Sequence, residues 1–180
     1  MQAMSTNVQL IWRKIENLRR MRNYLDYSLG QTLQLLPISD WYQLTPENHE
    51  TLAAFRVRFS EFQEHLGKVM RAIAREEEQS TEPFSFVLLY MEKIGILDTV
   101  DHWKVIRELR NAVNHEPSVS DRLPHTDLEL VHGKYEENEQ RLSEFFTALT
   151  QAASELFTWF NRTLAFCKST YPEPDGTLCA

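Results

Sequence analysis

The sequence predicts an all-α fold, an antiparallel helical bundle of four to five helices that dimerises through the bundle. Three observations carry that expectation. Only 5 glycines occur in 180 residues, too few for a turn-rich β architecture. Long alternating runs of Val, Ile and Thr are missing, and long segments instead repeat apolar residues at three- and four-residue steps. With 42% hydrophobic side chains the chain can bury one core, so a single domain over residues 1–168 is expected, followed by a flexible tail over residues 169–180.

The first helix is expected from Asn7 to Leu36, where Val8, Ile11, Ile15, Leu18, Leu25 and Leu29 form one stripe interrupted at Arg22 and Thr32. Pro37 ends it. The second starts at Thr45-Pro46-Glu47, a hydroxyl cap followed by proline at the first helical position. Its stripe of Leu52, Phe55, Phe59, Phe62, Leu66, Val69 and Ile73 is unbroken, so the two form an α-hairpin. The charged stretch REEEQSTEP stops the second helix, and Pro83 opens a short apolar third, FSFVLLYMEKIG, with Gly95 as its C-cap. A fourth begins near Asp98. Residues 116–130 hold two prolines and read as a loop, and a last long helix from Leu130 to Lys168 buries Leu142, Phe145, Phe146, Leu149, Leu156, Trp159, Phe160 and Leu164.

A formal charge of −7 opposes a protein that coats nucleic acid through its overall field, which leaves a local basic patch as the route to phosphate. Cys167 and Cys179 fit no metal spacing and read as free thiols of a reducing, cytoplasmic compartment. No secretory signal is recognisable, and FSFVLLYM is too short to span a bilayer, so no membrane association is expected. The isolated histidines His49, His65, His102, His125 and His132 lack the paired spacing of a zinc site, His132 with Glu136 being the helix-compatible pair considered, so neither a metal nor another cofactor is expected. A Gly-rich phosphate loop, a Gly-x-Ser-x-Gly elbow and a Cys–His pair are also missing.

The fourth helix carries RELRNAVNHE, residues 107–116. At about 100° per residue, Arg107, Arg110, Asn111, Asn114 and His115 fall within an arc of about 140°. Val105, Ile106, Leu109, Ala112 and Val113 occupy most of the opposite side. A polar face is ordinary on an amphipathic helix, and an Arg followed by a His carries little information alone. Two asparagines beside them carry more, because Asn competes for backbone hydrogen bonds and is a poor interior helix residue. A guanidinium that holds developing negative charge, next to an imidazole that moves a proton near neutral pH, is the pair that metal-free phosphodiester chemistry requires.

RNAVNH, Arg110 to His115, resembles the Arg-x4-6-His motif of the HEPN superfamily, and the preceding YMEKIGILDTVDHWKVIREL resembles the same segment in the toxin branch partnered with minimal nucleotidyltransferases. The likeness is specific over residues 84–117 and elsewhere only architectural. It implies a metal-independent endoribonuclease toxin of a toxin–antitoxin module, a homodimer whose two motifs face one cleft, with RNA as substrate and a nucleotidyltransferase-type antitoxin as partner. Under it Arg110 binds the scissile phosphate, Asn111 orients it and His115 handles the 2′-OH proton; Arg107, Asn114 and Arg22 are read from the sequence as candidate substrate-binding residues beside them. A two-fold axis would supply the second His115 that an acid–base pair needs. Members paired with an adenylylating antitoxin often carry Tyr two residues after the His. Pro117 stands there in this sequence and cannot accept an adenylyl group; Tyr135 is too distant in sequence to be assigned that role.

Arg13, Lys14, Arg19, Arg20 and Arg22 in the first helix read either as a solvated face or as a phosphate-contact surface. Arg22 also breaks the apolar stripe, and so points to an interface or cleft or snorkels to the surface. The missing Tyr and the acidic charge motivate the alternative function, a non-catalytic HEPN-like module that binds a nucleotide or docks a nucleotidyltransferase partner.

Overall fold

The computed structural model describes residues 4–115 and 128–174, the side chains of 113–115 and 128–140 excepted. Five α-helices occur among these residues: α1 Thr6–Leu35, α2 Pro46–Glu76, α3 Phe84–Lys93, α4 Val100–His115 and α5 Leu128–Thr170. One 3-10 turn, Trp41–Gln43, lies between α1 and α2. The described residues are all-α, as expected. Most of the loop expected at 116–130, with Pro117, lies outside the described residues, and the backbone is already helical at Leu128.

Capping ties the first two helices together. Ser5 Oγ accepts the Val8 N–H at 3.1 Å and donates to Glu76 Oε1 at 2.9 Å, so the cap of α1 also holds the end of α2. Asn7 Nδ2 donates to Ala72 O and Glu76 Oε2, while farther along Arg58 donates to Tyr24 O and the Ser28 hydroxyl. Partner numbers fall on α2 as they rise on α1, so the two run antiparallel. Thr45 and Asn48 form the capping box at the start of α2, each side chain accepting the other's backbone N–H at 3.2 Å.

The long α5 closes this pair. Trp12 Nε1 donates to Pro172 O, Arg22 to Asn161 Oδ1, and the Ile38 N–H to Ser143 Oγ, which sets α5 antiparallel to α1. All seven apolar positions expected along α2 are buried, and Phe62 meets the rings of Phe157 and Phe160 edge-on at 5.7 and 5.8 Å. Thr32, read as a break in the α1 stripe, is buried with it. The chain also stays docked past α5, where a tail was expected from residue 169. Tyr171 is buried and its hydroxyl donates to Glu77 Oε1 at 2.7 Å, because a phenol can bury its ring while its O–H finds a carboxylate. Residues 175–180, with Cys179, lie outside the described residues.

Helices α2 and α3 end alike. At α3, Gly95 takes φ +80° while Ile96 N–H donates to Met91 O and Gly95 N–H to Glu92 O. At α2 the left-handed position is Glu78, at φ 55°, with Gln79 N–H on Ala74 O and Glu78 N–H on Arg75 O. A Cβ in this conformation crowds the following carbonyl. Glu78→Gly is therefore expected to stabilise the fold by about 1 kcal/mol, read as a rise in Tm; a fall would mean that the carboxylate contributes more than the strain costs.

Cys167 is free and fully buried, and burial pushes its thiol up to about 12. The neutral thiol is a poor nucleophile. In the Cys179→Ser chain, iodoacetamide is expected to leave Cys167 unmodified near neutral pH until denaturant is added, with intact mass as readout.

Candidate functional site

A groove of about 230 Å³ runs between α2, the start of α3 and α4. From α2 it takes Gln63, Glu64, Gly67, Lys68 and Arg71, which share one face at three- and four-residue steps. From α4 it takes Trp103, Arg107 and Arg110, at i, i+4 and i+7, and Phe84 contributes from α3.

Both neighbours anchor the N-terminal end of α4. Thr99 Oγ1 accepts the His102 N–H, the Glu92 carboxylate accepts the Val100 N–H, and His102 pairs with Glu155 of α5. Asp98 accepts from Arg162 at 2.9 Å and from the Trp159 indole at 3.4 Å. The Arg162 hydrogen bond, seconded by that of Trp159, holds the Asp98 carboxyl below the usual carboxylate range.

One turn on, Trp103 is almost completely buried, its ring 5.7 Å from that of Trp159 and 6.3 Å from that of Phe84. It sits directly over α2 at Gly67, where a Cβ would lie 3.4 Å from Trp103 Cζ2 and 3.5 Å from Phe84 Cζ. This arrangement corrects the face assigned to α4 from the sequence. Trp103 and Ile106 are buried, whereas Val105, expected inside, is 55% exposed. Trp103 decides the matter because it removes far more apolar surface from water than Val105 can. Arg110 thus continues the buried line of Trp103 and Ile106, and it is half-buried instead of standing opposite the core.

Four cationic side chains line the groove against one carboxylate. Lys68 pairs with Glu64 at 2.8 Å, and its hydrogen bond and charge, with a smaller contribution from Arg110, hold the Glu64 carboxyl below its usual range. Arg71 lies 5.0 Å over the Phe84 ring and 3.6 Å from Glu82. Among the described residues Arg110 donates only to Asn111 Oδ1, at 3.4 Å, its buried Nε has no partner, and neither it nor Arg107 forms an ion pair. Three further polar atoms of the lining are buried without partners, Arg71 Nε, Gln63 Oε1 and Trp103 Nε1, and the last two each cost about 1–3 kcal/mol in a dry interior. Two guanidiniums of α4 with no carboxylate among the described residues, beside the cations of α2, make a place for an anion.

Of the residues singled out in the sequence, Arg107 and Arg110 meet in the groove, and Asn111 is exposed beside Arg110. The backbone of α4 carries Asn114 and His115 to its last turn, but their side chains lie outside the described residues, as do those of Tyr135, His132 and Glu136. Arg22 is not brought to the groove. It lies over Phe157 and Phe160 of α5 at 5.2 and 5.9 Å, with its guanidinium on Asn161. Gln63, Glu64, Gly67, Lys68, Arg71, Phe84 and Trp103 were not anticipated. Gly67 inside an otherwise apolar helical stripe was the signal available for them.

Among the described residues no group of three or more His, Cys, Asp or Glu side chains is placed to hold a metal ion, and no helix is long and apolar enough to cross a membrane. The Glu64 carboxylate contributes stability above its ordinary pKa that is lost as pH falls through its lowered one. Lys68→Ala is expected to return the Glu64 titration toward the usual glutamate range, followed by carboxyl carbon NMR; an unchanged midpoint would assign the shift elsewhere. No protein-family model, curated protein or solved structure matches the chain.

Proposed function

We propose that this chain is a HEPN-type, metal-independent endoribonuclease, the toxin of a two-component module, acting in the cytoplasm as a homodimer that dimerises through its helical bundle. The observation that carries the reading is the pair Arg107 and Arg110, clear of ion pairs among the described residues at a cationic groove of an acidic chain, on a helix that continues to His115.

In this reading the groove draws in the RNA backbone and Arg110 holds the non-bridging oxygens of the scissile phosphate, with Asn111 beside it. One His115 takes the proton of the 2′-OH, and the 2′-oxygen bonds to phosphorus. The bond from phosphorus to the 5′-oxygen breaks, and the second His115 of the dimer protonates that leaving oxygen. The products are a 2′,3′-cyclic phosphate and a 5′-hydroxyl. No metal enters, because guanidinium groups in a partly dry groove stabilise the added charge. A nucleotidyltransferase-type antitoxin would silence this centre by a route other than tyrosine modification at residue 117, which is Pro117.

The test is RNA cleavage by purified protein, together with growth on induced expression. Arg110→Ala is expected to slow cleavage about 10²- to 10³-fold, and His115→Ala about 10²- to 10⁴-fold, each relieving growth arrest with the fold retained. A dimer that cuts no RNA, with His115→Ala leaving toxicity unchanged, would refute the ribonuclease and favour a non-catalytic module that binds a nucleotide or its partner.

A further inference from the structure

The floor of the groove holds what phosphate binding alone does not require. Gln63 and Trp103 are 2% and 1% exposed, yet both line the groove, and each keeps one polar atom without a partner, an acceptor at Gln63 Oε1 and a donor at Trp103 Nε1–H. Buried polar atoms are nearly always paired, so two orphans in one groove wall point to a group that arrives from outside. Gly67 lies beside Trp103 and Phe84. Its missing side chain lets both rings lie against α2, since a Cβ there would already touch them. Aromatic surface, a stacked guanidinium at Arg71 and one donor with one acceptor suit a planar heterocycle, whose ring edge offers the complementary atoms. Lys68, Arg107 and Arg110 line the same groove and suit the phosphate of that nucleotide.

We infer that this groove is a nucleotide-reading subsite: Gln63 and Trp103 hydrogen-bond a nucleobase beside Phe84 while the arginines of α4 hold its phosphate. The inference rests on the ribonuclease reading for its role, making Gln63 a specificity determinant for the base beside the cleaved bond. Its chemistry is that of a nucleoside monophosphate unit, either free or within RNA.

Calorimetry on the full chain tests it, with AMP, GMP, CMP, UMP, inorganic phosphate and short single-base oligonucleotides as probes. At least one mononucleotide or oligonucleotide is expected to bind more tightly than inorganic phosphate and to discriminate among bases. Gln63→Leu, which replaces an unpaired amide by a side chain of similar volume, is expected to keep or raise Tm, weaken that ligand about tenfold and leave inorganic phosphate unchanged. Tighter binding of the oligonucleotide assigns the subsite to RNA, and tighter binding of the mononucleotide to a free nucleotide. The subsite is overturned if no nucleotide outbinds phosphate, or if Gln63→Leu binds as the parent does. Base preference in cleavage separates the two readings. Cleavage that ignores Gln63→Leu removes the subsite and keeps the ribonuclease, whereas nucleotide binding without any cleavage keeps the subsite and removes the ribonuclease.

Discussion

Trp103 is buried among α2, α3 and α5, and its position fixes how α4 presents every residue that follows it. An indole this size needs room, and Gly67 supplies it on α2 by offering no side chain where the ring lies. Once Trp103 is seated, the 3.6-residue period leaves no choice: Ile106 goes inside, and Arg107 and Arg110 emerge along the edge of the buried face. The anchored first turn, with Asp98 on Arg162 and His102 on Glu155, removes the remaining freedom of rotation. Both arginines therefore stand on a rigid element, and little of their binding energy is lost to ordering a loop.

The same geometry reconciles an acidic protein with an anion site. A charge of −7 spread over the surface is screened within about 10 Å at ordinary salt, whereas charges lining one groove act at contact distance. Glu64 tempers the cluster without neutralising it, since its nearest cation is Lys68 and both are half exposed. Arg110 differs because it is half-buried and its Nε is shut off from water. A guanidinium held in lower dielectric interacts more strongly with an arriving phosphate than an exposed lysine does.

The long helices were legible because their apolar residues repeat along one face: every α2 stripe position is buried, and Thr45 and Gly95 mark their boundaries as their chemistry requires. The orientation of α4 was not. Its apolar residues nearly encircle the helix, so the wheel allows two buried faces, and only the volume competition between Trp103 and Val105 selects one. Thr32 and Tyr171 misled for a related reason. Each has a polar atom that suggests solvent, yet the Tyr171 hydroxyl finds Glu77, and Thr32 is carried inside by its neighbours on the stripe. Arg22 broke the stripe in sequence because its partner is distant in the chain, the aromatic face of α5. Lys68 and Arg71 look like any solvated helix face until α4 is laid against them.

A polar helix face and a binding site differ in what happens to their donors. On a solvated face, arginines reach water or a nearby carboxylate, as Arg19 does with Glu16 at 3.2 Å. In the groove Arg110 is half withdrawn from water beside an unpaired amide oxygen and an unpaired indole N–H, and among the described residues neither it nor Arg107 has a carboxylate of its own. Replacing either orphan by an apolar group of the same shape would relieve its desolvation penalty, so stability alone gives no reason for them to be there. A ligand that supplies an acceptor for the indole, a donor for the amide and an anion for the guanidiniums turns each of these costs into a contact.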